Sequence, residues 1–176
     1  AVEKDEGSTF LKNELIRLYL EQNDYNAALD VALEIVEKQP EDVSSLVMLG
    51  GIYSALNQPA EAIRLYEKAL AIDPSSENIH FLLGSEYVKA ERSEEAAKLY
   101  ESLIKTNPSS FAGHFYLGTL NASLKRYDEA EASLMKAVEL NPEYDRTYFE
   151  LINIYEATGK QDKVIQTYKD ILEGNP

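Results

Sequence analysis

Between Val43 and Ser76 the apolar positions fall into two stripes of helical spacing, separated by a polar break. Leu46, Leu49, Gly50 and Tyr53 recur at i, i+3, i+4 and i+7, which lines one face of a helix, and Asn57-Gln58-Pro59 interrupts it. Ala62, Ile63, Tyr66, Ala69 and Leu70 form a second stripe that stops at Ile72-Asp73-Pro74. The segment predicts an antiparallel helical hairpin. Gly50 and Ala62 lack bulk where the helices cross, so the backbones approach closely while Leu49, Tyr53 and Tyr66 fill the flanking grooves.

The hairpin recurs along the chain. Prolines stand at 40, 74, 108, 142 and 176, a constant interval of 34 residues. Proline ends a helix because it lacks an N–H donor and drives its predecessor out of the helical region, so this comb marks equal helical units. Other columns keep the same beat: Leu15, Leu49, Leu83, Leu117 and Leu151; Gly50, Gly84 and Gly118; Tyr19, Tyr53, Tyr87 and Tyr155; Ala28, Ala62, Ala96 and Ala130; Tyr66, Tyr100, Leu134 and Tyr168. Neither amphipathic helix buries its stripe alone. Successive hairpins must therefore stack, and a regular turn per unit winds the stack into a curved solenoid.

Leucine-glycine, tyrosine, alanine, bulky residue and proline at these separations resemble the tetratricopeptide repeat. Residues 9–176 are similar to a single array of five such repeats, 9–42, 43–76, 77–110, 111–144 and 145–176. The resemblance implies an all-α fold, a right-handed superhelical α-solenoid of helix-turn-helix hairpins. Departures fall mainly at the ends, where Ile16 and Ile152 replace the glycine, Val164 the alanine and Ala32 the bulky residue; Asn121 also replaces a tyrosine. Residues 1–8, AVEKDEGS, carry no proline in phase and read as a disordered leader, with Ser8 or Thr9 as the N-cap of the first helix. Val164, Ile165, Tyr168, Ile171 and Leu172 lie on the last predicted helix with nothing following to cover them. Terminal repeats need a polar cap, so the expectation is that the chain is cut from a longer protein or that this end self-associates.

Charge narrows the partners. The 17 basic and 31 acidic residues leave a net charge of -14, which repels phosphate backbones and anionic lipid, so nucleic acid is not an expected partner. The acidic residues lie mainly on the second helix of each unit, where a solvated outer face is favoured over a docking patch for a basic protein. The absence of cysteine removes disulfides, thiolate metal sites and thiol nucleophiles together, and fits cytoplasm and periplasm alike. The longest apolar run, Leu46 to Leu56, is too short to span a bilayer, so no membrane insertion is expected.

Chemistry finds little to work with. There is no glycine-rich phosphate loop, no H-E-x-x-H and no G-x-S-x-G. His80 and His114 share one column a repeat apart. Stacked helices sit about 8–10 Å apart, whereas two nitrogens on one zinc must lie within roughly 4 Å, and no third ligand is evident, so packing is favoured over metal binding. Asn121-Ala122-Ser123 matches a glycosylation sequon, but Asn121 falls in a core-facing column and the match reads as accidental. Neither a catalytic residue nor a cofactor is expected.

A different set of columns is left for binding. At about 100° per residue, those of Ser44, Val47, Gly51 and Ser54 point roughly 140° away from the core stripe, on the inner wall of the curve. By resemblance, tetratricopeptide arrays bind peptides or helices on that concave wall. The candidate partner-binding residues are Asn13, Arg17, Val47, Asn78, Phe81, Ser85, Phe115, Thr119, Arg146, Phe149 and Asn153. Phe81, Phe115 and Phe149 form a ladder in phase with the repeat, which either anchors the apolar face of a ligand or packs between neighbouring first helices, with packing slightly ahead. The family's clamp for acidic C-termini uses lysine, asparagine, asparagine, lysine and arginine. Its first register holds Asn13, Arg17, Met48, Asn78 and Leu82 here, which argues for an apolar or mixed ligand instead. The expected function is a non-enzymatic protein-protein interaction scaffold; the alternatives are the substrate-recruiting domain of a larger enzyme and a self-associating assembly scaffold.

Overall fold

The computed structural model describes the backbone of residues 2–174 and the side chains of residues 9–172 and 174. Among these residues the chain is all helix and turn: α1 (Val2–Glu21), α2 (Tyr25–Lys38), α3 (Val43–Ala55), α4 (Pro59–Ile72), α5 (Glu77–Lys89), α6 (Ser93–Thr106), α7 (Phe111–Ser123), α8 (Tyr127–Leu140), α9 (Asp145–Ala157) and α10 (Gln161–Glu173). The hairpin predicted from the stripes is α3 and α4. Pro59 occupies the first turn of α4, where its missing N–H costs nothing, so the residue that ends one helix opens the next.

Every first helix of a repeat stops in the same way. A residue in the left-handed region, Asn23, Asn57, Glu91, Lys125 or Gly159, follows α1, α3, α5, α7 or α9 at φ between 57° and 71°. The next N–H, on Asp24, Gln58, Arg92, Arg126 or Lys160, reaches back five residues to the carbonyl of Tyr19, Tyr53, Tyr87, Asn121 or Tyr155 at 2.8–2.9 Å. This is the Schellman closure, which satisfies carbonyls that the helix itself leaves open. The other turn is set by side chains. Asp42, Ser76 and Ser110 cap α3, α5 and α7 by accepting the N–H of Ser45, Ile79 and Gly113, and each cap stands two residues after a proline of the comb.

The chain divides into two compact units, Ala1–Arg92 and Ser93–Pro176. In the first, α1 packs on α2, α2 on α3, α3 on α4 and α4 on α5; in the second, α6 to α10 pack in the same serial order and α7 also touches α9. Small residues set the closeness of the hairpins. A Cβ at Gly50 would lie 2.6 Å from Cε1 of buried Tyr66, and one at Gly118 would lie 2.6 Å from Cγ of Leu134 and 3.2 Å from its backbone nitrogen. Ala28, Ala62, Ala96 and Ala130 are fully buried, as their column requires.

The ends depart from the pattern. Leu15 is exposed although its counterparts Leu49, Leu83 and Leu151 are buried, and Ile16 beside it is buried instead. The reason is the missing neighbour: among the described residues α1 has no preceding second helix to cover it. The α1 backbone already begins at Val2, so Ser8 and Thr9 lie inside the helix and neither is its N-cap; the leader expected over 1–8 lies outside the described side chains. Asn121 is buried in the tyrosine column, which keeps its amide from solvent.

Candidate functional site

The candidate columns all lie on the first helices of the repeats, and the register of each helix decides which of them reach solvent. In the first unit, α3 presents exposed Ser44 and Gly51 with half-buried Val47 and Ser54. On α5, Asn78, Phe81 and Val88 are exposed and Ser85 is half-buried. Gly51 sits on open floor, since a Cβ there would meet only the Tyr66 hydroxyl at 3.8 Å. Asn13 and Arg17 are exposed on α1. Arg17 pairs with Glu14 at 2.9 Å and Glu21 at 2.5 Å on its own helix, and the Glu14 hydrogen bond foremost raises its pKa.

Between α3 and α5 the face carries a polar knot that sequence reasoning missed. The Ser54 hydroxyl donates to the Glu86 carboxylate at 2.6 Å, and the Lys89 ammonium donates to Glu86 at 2.6 Å and to Ser54 at 2.9 Å. Glu86 is buried, and these bonds offset the cost of taking its charge out of water. Burial, with the Glu86 charge as a smaller cause, pushes the Tyr66 phenol up to about 12. In sequence Glu86 stands where the other repeats carry Ile52, Leu120 and Ile154, so its column was the available signal.

In the second unit the aromatic ladder does not hold together. Phe115 is 3% exposed, stacks on Phe111 with centroids 5.7 Å apart and meets Tyr144 edge-on at 5.3 Å. The Arg146 guanidinium lies 5.6 Å from its ring centroid. Phe115 is therefore a packing residue, as the competing expectation had it, because the start of α9 brings its cap Tyr144 and, in its first turn, Arg146 over the ring. Phe149, one repeat later, is half exposed at 51%. Arg146 also reaches Glu150, at 3.8 Å.

Thr119 and Asn153 do come together. They line one open groove between α7 and α9 with Ala122, Ser123, Glu150 and Tyr127 at its edge. The Thr119 and Ser123 hydroxyls donate to the backbone carbonyls of Tyr116 and Leu120, which leaves their oxygens able to act only as acceptors while those bonds hold. Glu150 and Tyr127 were not among the expected site residues; the i+4 spacing of Glu150 from Arg146 was the only hint.

Known proteins fit this geometry. A family model described as Tetratricopeptide repeat matches residues 13–77 and 81–145. The chain belongs to the tetratricopeptide repeat family. No curated protein sequence matches it. Among solved structures it is similar to a crystal structure of MamA at 23% identity and TM-score 0.74, covering 88% of this chain and 91% of that one. A second MamA structure gives 22% identity and TM-score 0.76 over 94% of this chain and 90% of that one. MamA from Desulfovibrio magneticus RS-1, from residue 41 to its end, gives 17% identity and TM-score 0.74 over 93% of this chain and 92% of that one. These likenesses show the fold: an all-α tetratricopeptide solenoid of helix-turn-helix hairpins.

In this tetratricopeptide chain both histidines bond to backbone carbonyls of the repeat itself. Buried His80 donates from Nδ1 to the Ser76 carbonyl at 2.9 Å, and His114 donates from Nε2 to the Pro108 carbonyl at 3.2 Å. Among the described residues no group of three or more His, Cys, Asp or Glu is placed to hold a metal ion, and no helix is long and apolar enough to cross a membrane. Fold and family together make the chain a protein-protein interaction module of the tetratricopeptide type.

Proposed function

We propose that the chain is a non-enzymatic scaffold that holds a peptide or helix of a partner protein against the first-helix face, in the groove its family would use. The observation that carries this reading is the groove between α7 and α9, where small side chains and the polar Thr119, Asn153 and Glu150 surround open space. Exposed Phe149 supplies apolar contact for a ligand of mixed character, and the Asn153 amide supplies bonds to its backbone. A preformed helical wall needs little ordering on its own side, which favours affinity.

Selection of a phage-displayed random peptide library on the intact chain tests the reading. Selected peptides should bind an F149S variant roughly tenfold or more weakly, the loss of an aromatic anchor that the ligand buries, with melting temperature lowered by only a few degrees. Selection that yields no binder, or binders indifferent to Phe149, Thr119 and Asn153, overturns it.

A further inference from the structure

The seam between α3 and α5 and the groove between α7 and α9 use the same columns two repeats apart, and they are finished differently. In the first seam a cation of the chain itself fills the place. Lys89, the last residue of α5, donates to the Ser54 hydroxyl at 2.9 Å and to the Glu86 carboxylate at 2.6 Å. In the second, Ala122, Ile154 and Ala157 stand in the columns of Ser54, Glu86 and Lys89. Alanine at 157 does not reach into the seam as Lys89 does, and a groove of about 320 Å³ remains there.

The polar groups of that groove suit a positively charged donor. The Thr119 and Ser123 hydroxyls spend their hydrogens on the carbonyls of Tyr116 and Leu120, and an ionised Glu150 only accepts. Glu150 has Arg146 as its ion-pair partner at 3.8 Å, beyond hydrogen-bond distance, while that guanidinium lies over the Phe115 ring. The carboxylate thus keeps its oxygens for a closer donor, and its side chain is only 25% exposed, which strengthens any charge it meets. Charge on the two helices leans the same way. Among Asp, Glu, Lys and Arg, α7 carries none, and α9 carries Asp145, Glu150 and Glu156 against Arg146 alone. Ala122, Ser123 and Ala157 belong to the last turns of α7 and α9, and helix C-termini carry partial negative charge that favours a cation.

We infer that the partner segment lays an arginine or lysine side chain in this groove, with its charged head on Glu150 and the Thr119 and Ser123 oxygens. Its aliphatic stem runs along Ala122, Ile154 and Ala157, as long basic side chains do on apolar surface. The occupant is a protein segment with a basic residue at its centre, drawn to a chain of net charge -14, and it takes the part between α7 and α9 that Lys89 takes between α3 and α5. The assignment rests on the proposed use of this groove as the partner site and adds the charge of what enters it.

Peptides selected from a phage-displayed random library on the intact chain provide the probes, synthesised with a fluorophore and titrated by anisotropy against the parent, T119V, N153A and E150Q. None of the three side chains is buried, so helix content by circular dichroism should match the parent. A peptide that loses affinity on T119V and N153A occupies the groove. Every such peptide should carry an arginine or lysine whose neutral isostere, citrulline or acetyl-lysine, binds the parent roughly tenfold more weakly, the loss of a charge-assisted bond. E150Q should weaken the original peptide by a similar factor and leave the neutral peptide unchanged, and the gap between parent and E150Q should shrink as salt rises. Groove peptides without a basic residue, or with one whose neutralisation costs parent and E150Q equally, overturn the inference and leave the groove standing as the partner site. A selection in which no peptide is sensitive to T119V and N153A overturns both.

Discussion

Gly50 and Gly51 are sequence neighbours with opposite duties, and the difference is a matter of two contact distances. A methyl group at Gly50 would press against the Tyr66 ring at 2.6 Å, inside a core where the ring is almost fully buried. Gly50→Ala should cost about 1–3 kcal/mol by overpacking. Gly51→Ala meets only ordinary contact at 3.8 Å and relieves helix-interior entropy, so it should gain about 0.5–1 kcal/mol. Urea unfolding of both variants checks the pair, and equal losses would contradict the placement of the two faces. The left-handed column gives a second case. Glu91 and Lys125 hold φ of 60° without the freedom that glycine has at Gly159, so Glu91→Gly and Lys125→Gly should each be stabilising by roughly 0.5–1 kcal/mol, the left-handed penalty less the entropy of the added glycine. Phe115→Ser, by contrast, empties an aromatic cluster and should cost about 3–5 kcal/mol.

At the level of elements, α8, α9 and α10 are tied by one carboxylate. Glu131 of α8 accepts from the Tyr155 hydroxyl at 3.2 Å, from Lys160 at 2.8 Å and from Lys163. Burial alone would raise its pKa, but the hydrogen bonds and charges of the two lysines outweigh that and hold it below the ordinary carboxylate value of 4.5. The same arrangement, with burial the larger cause, raises the Tyr155 phenol to about 12. For Glu131 the depressed folded pKa means that its stabilisation is fully present above the unfolded value and is lost as pH falls through the folded one. Glu131→Gln should therefore lower stability by roughly 1–2 kcal/mol at neutral pH. The two proteins should converge in melting temperature as pH drops below 4.5, the ordinary value. A difference that persists into strong acid would mean that the glutamate acts by shape and not by charge.

For the whole molecule, charge excess opposes the fold. With 31 acidic against 17 basic residues, self-repulsion acts on the folded chain, while exposed ion pairs such as Lys12 with Glu34 contribute little because water and salt screen them. Relief of repulsion should win over loss of pairs, so melting temperature rises with added sodium chloride, measured by calorimetry at neutral pH and low protein concentration. A fall would mean that the ion pairs contribute more than their exposure suggests.

Helix order, hairpin boundaries and the core columns were legible in the sequence, because proline, small and bulky residues impose their geometry locally and every 34 residues repeat the same demand. That Asn78, Phe81 and Asn153 turn away from the core followed from helical angle alone, and each is exposed. Phe115 could not be placed that way. Its burial depends on Tyr144, at the far end of its own repeat, and on Arg146 of the next, which reach it only once the hairpins have stacked. The same holds for Glu86, whose charge is tolerable only where Ser54 and Lys89 converge on it, and for Leu15 and Tyr168, whose columns promise burial that a neighbour must supply. Periodicity thus determined what each residue asks of its surroundings; packing between repeats decided which requests were met, since a contact between distant segments depends on both of them and on the space between.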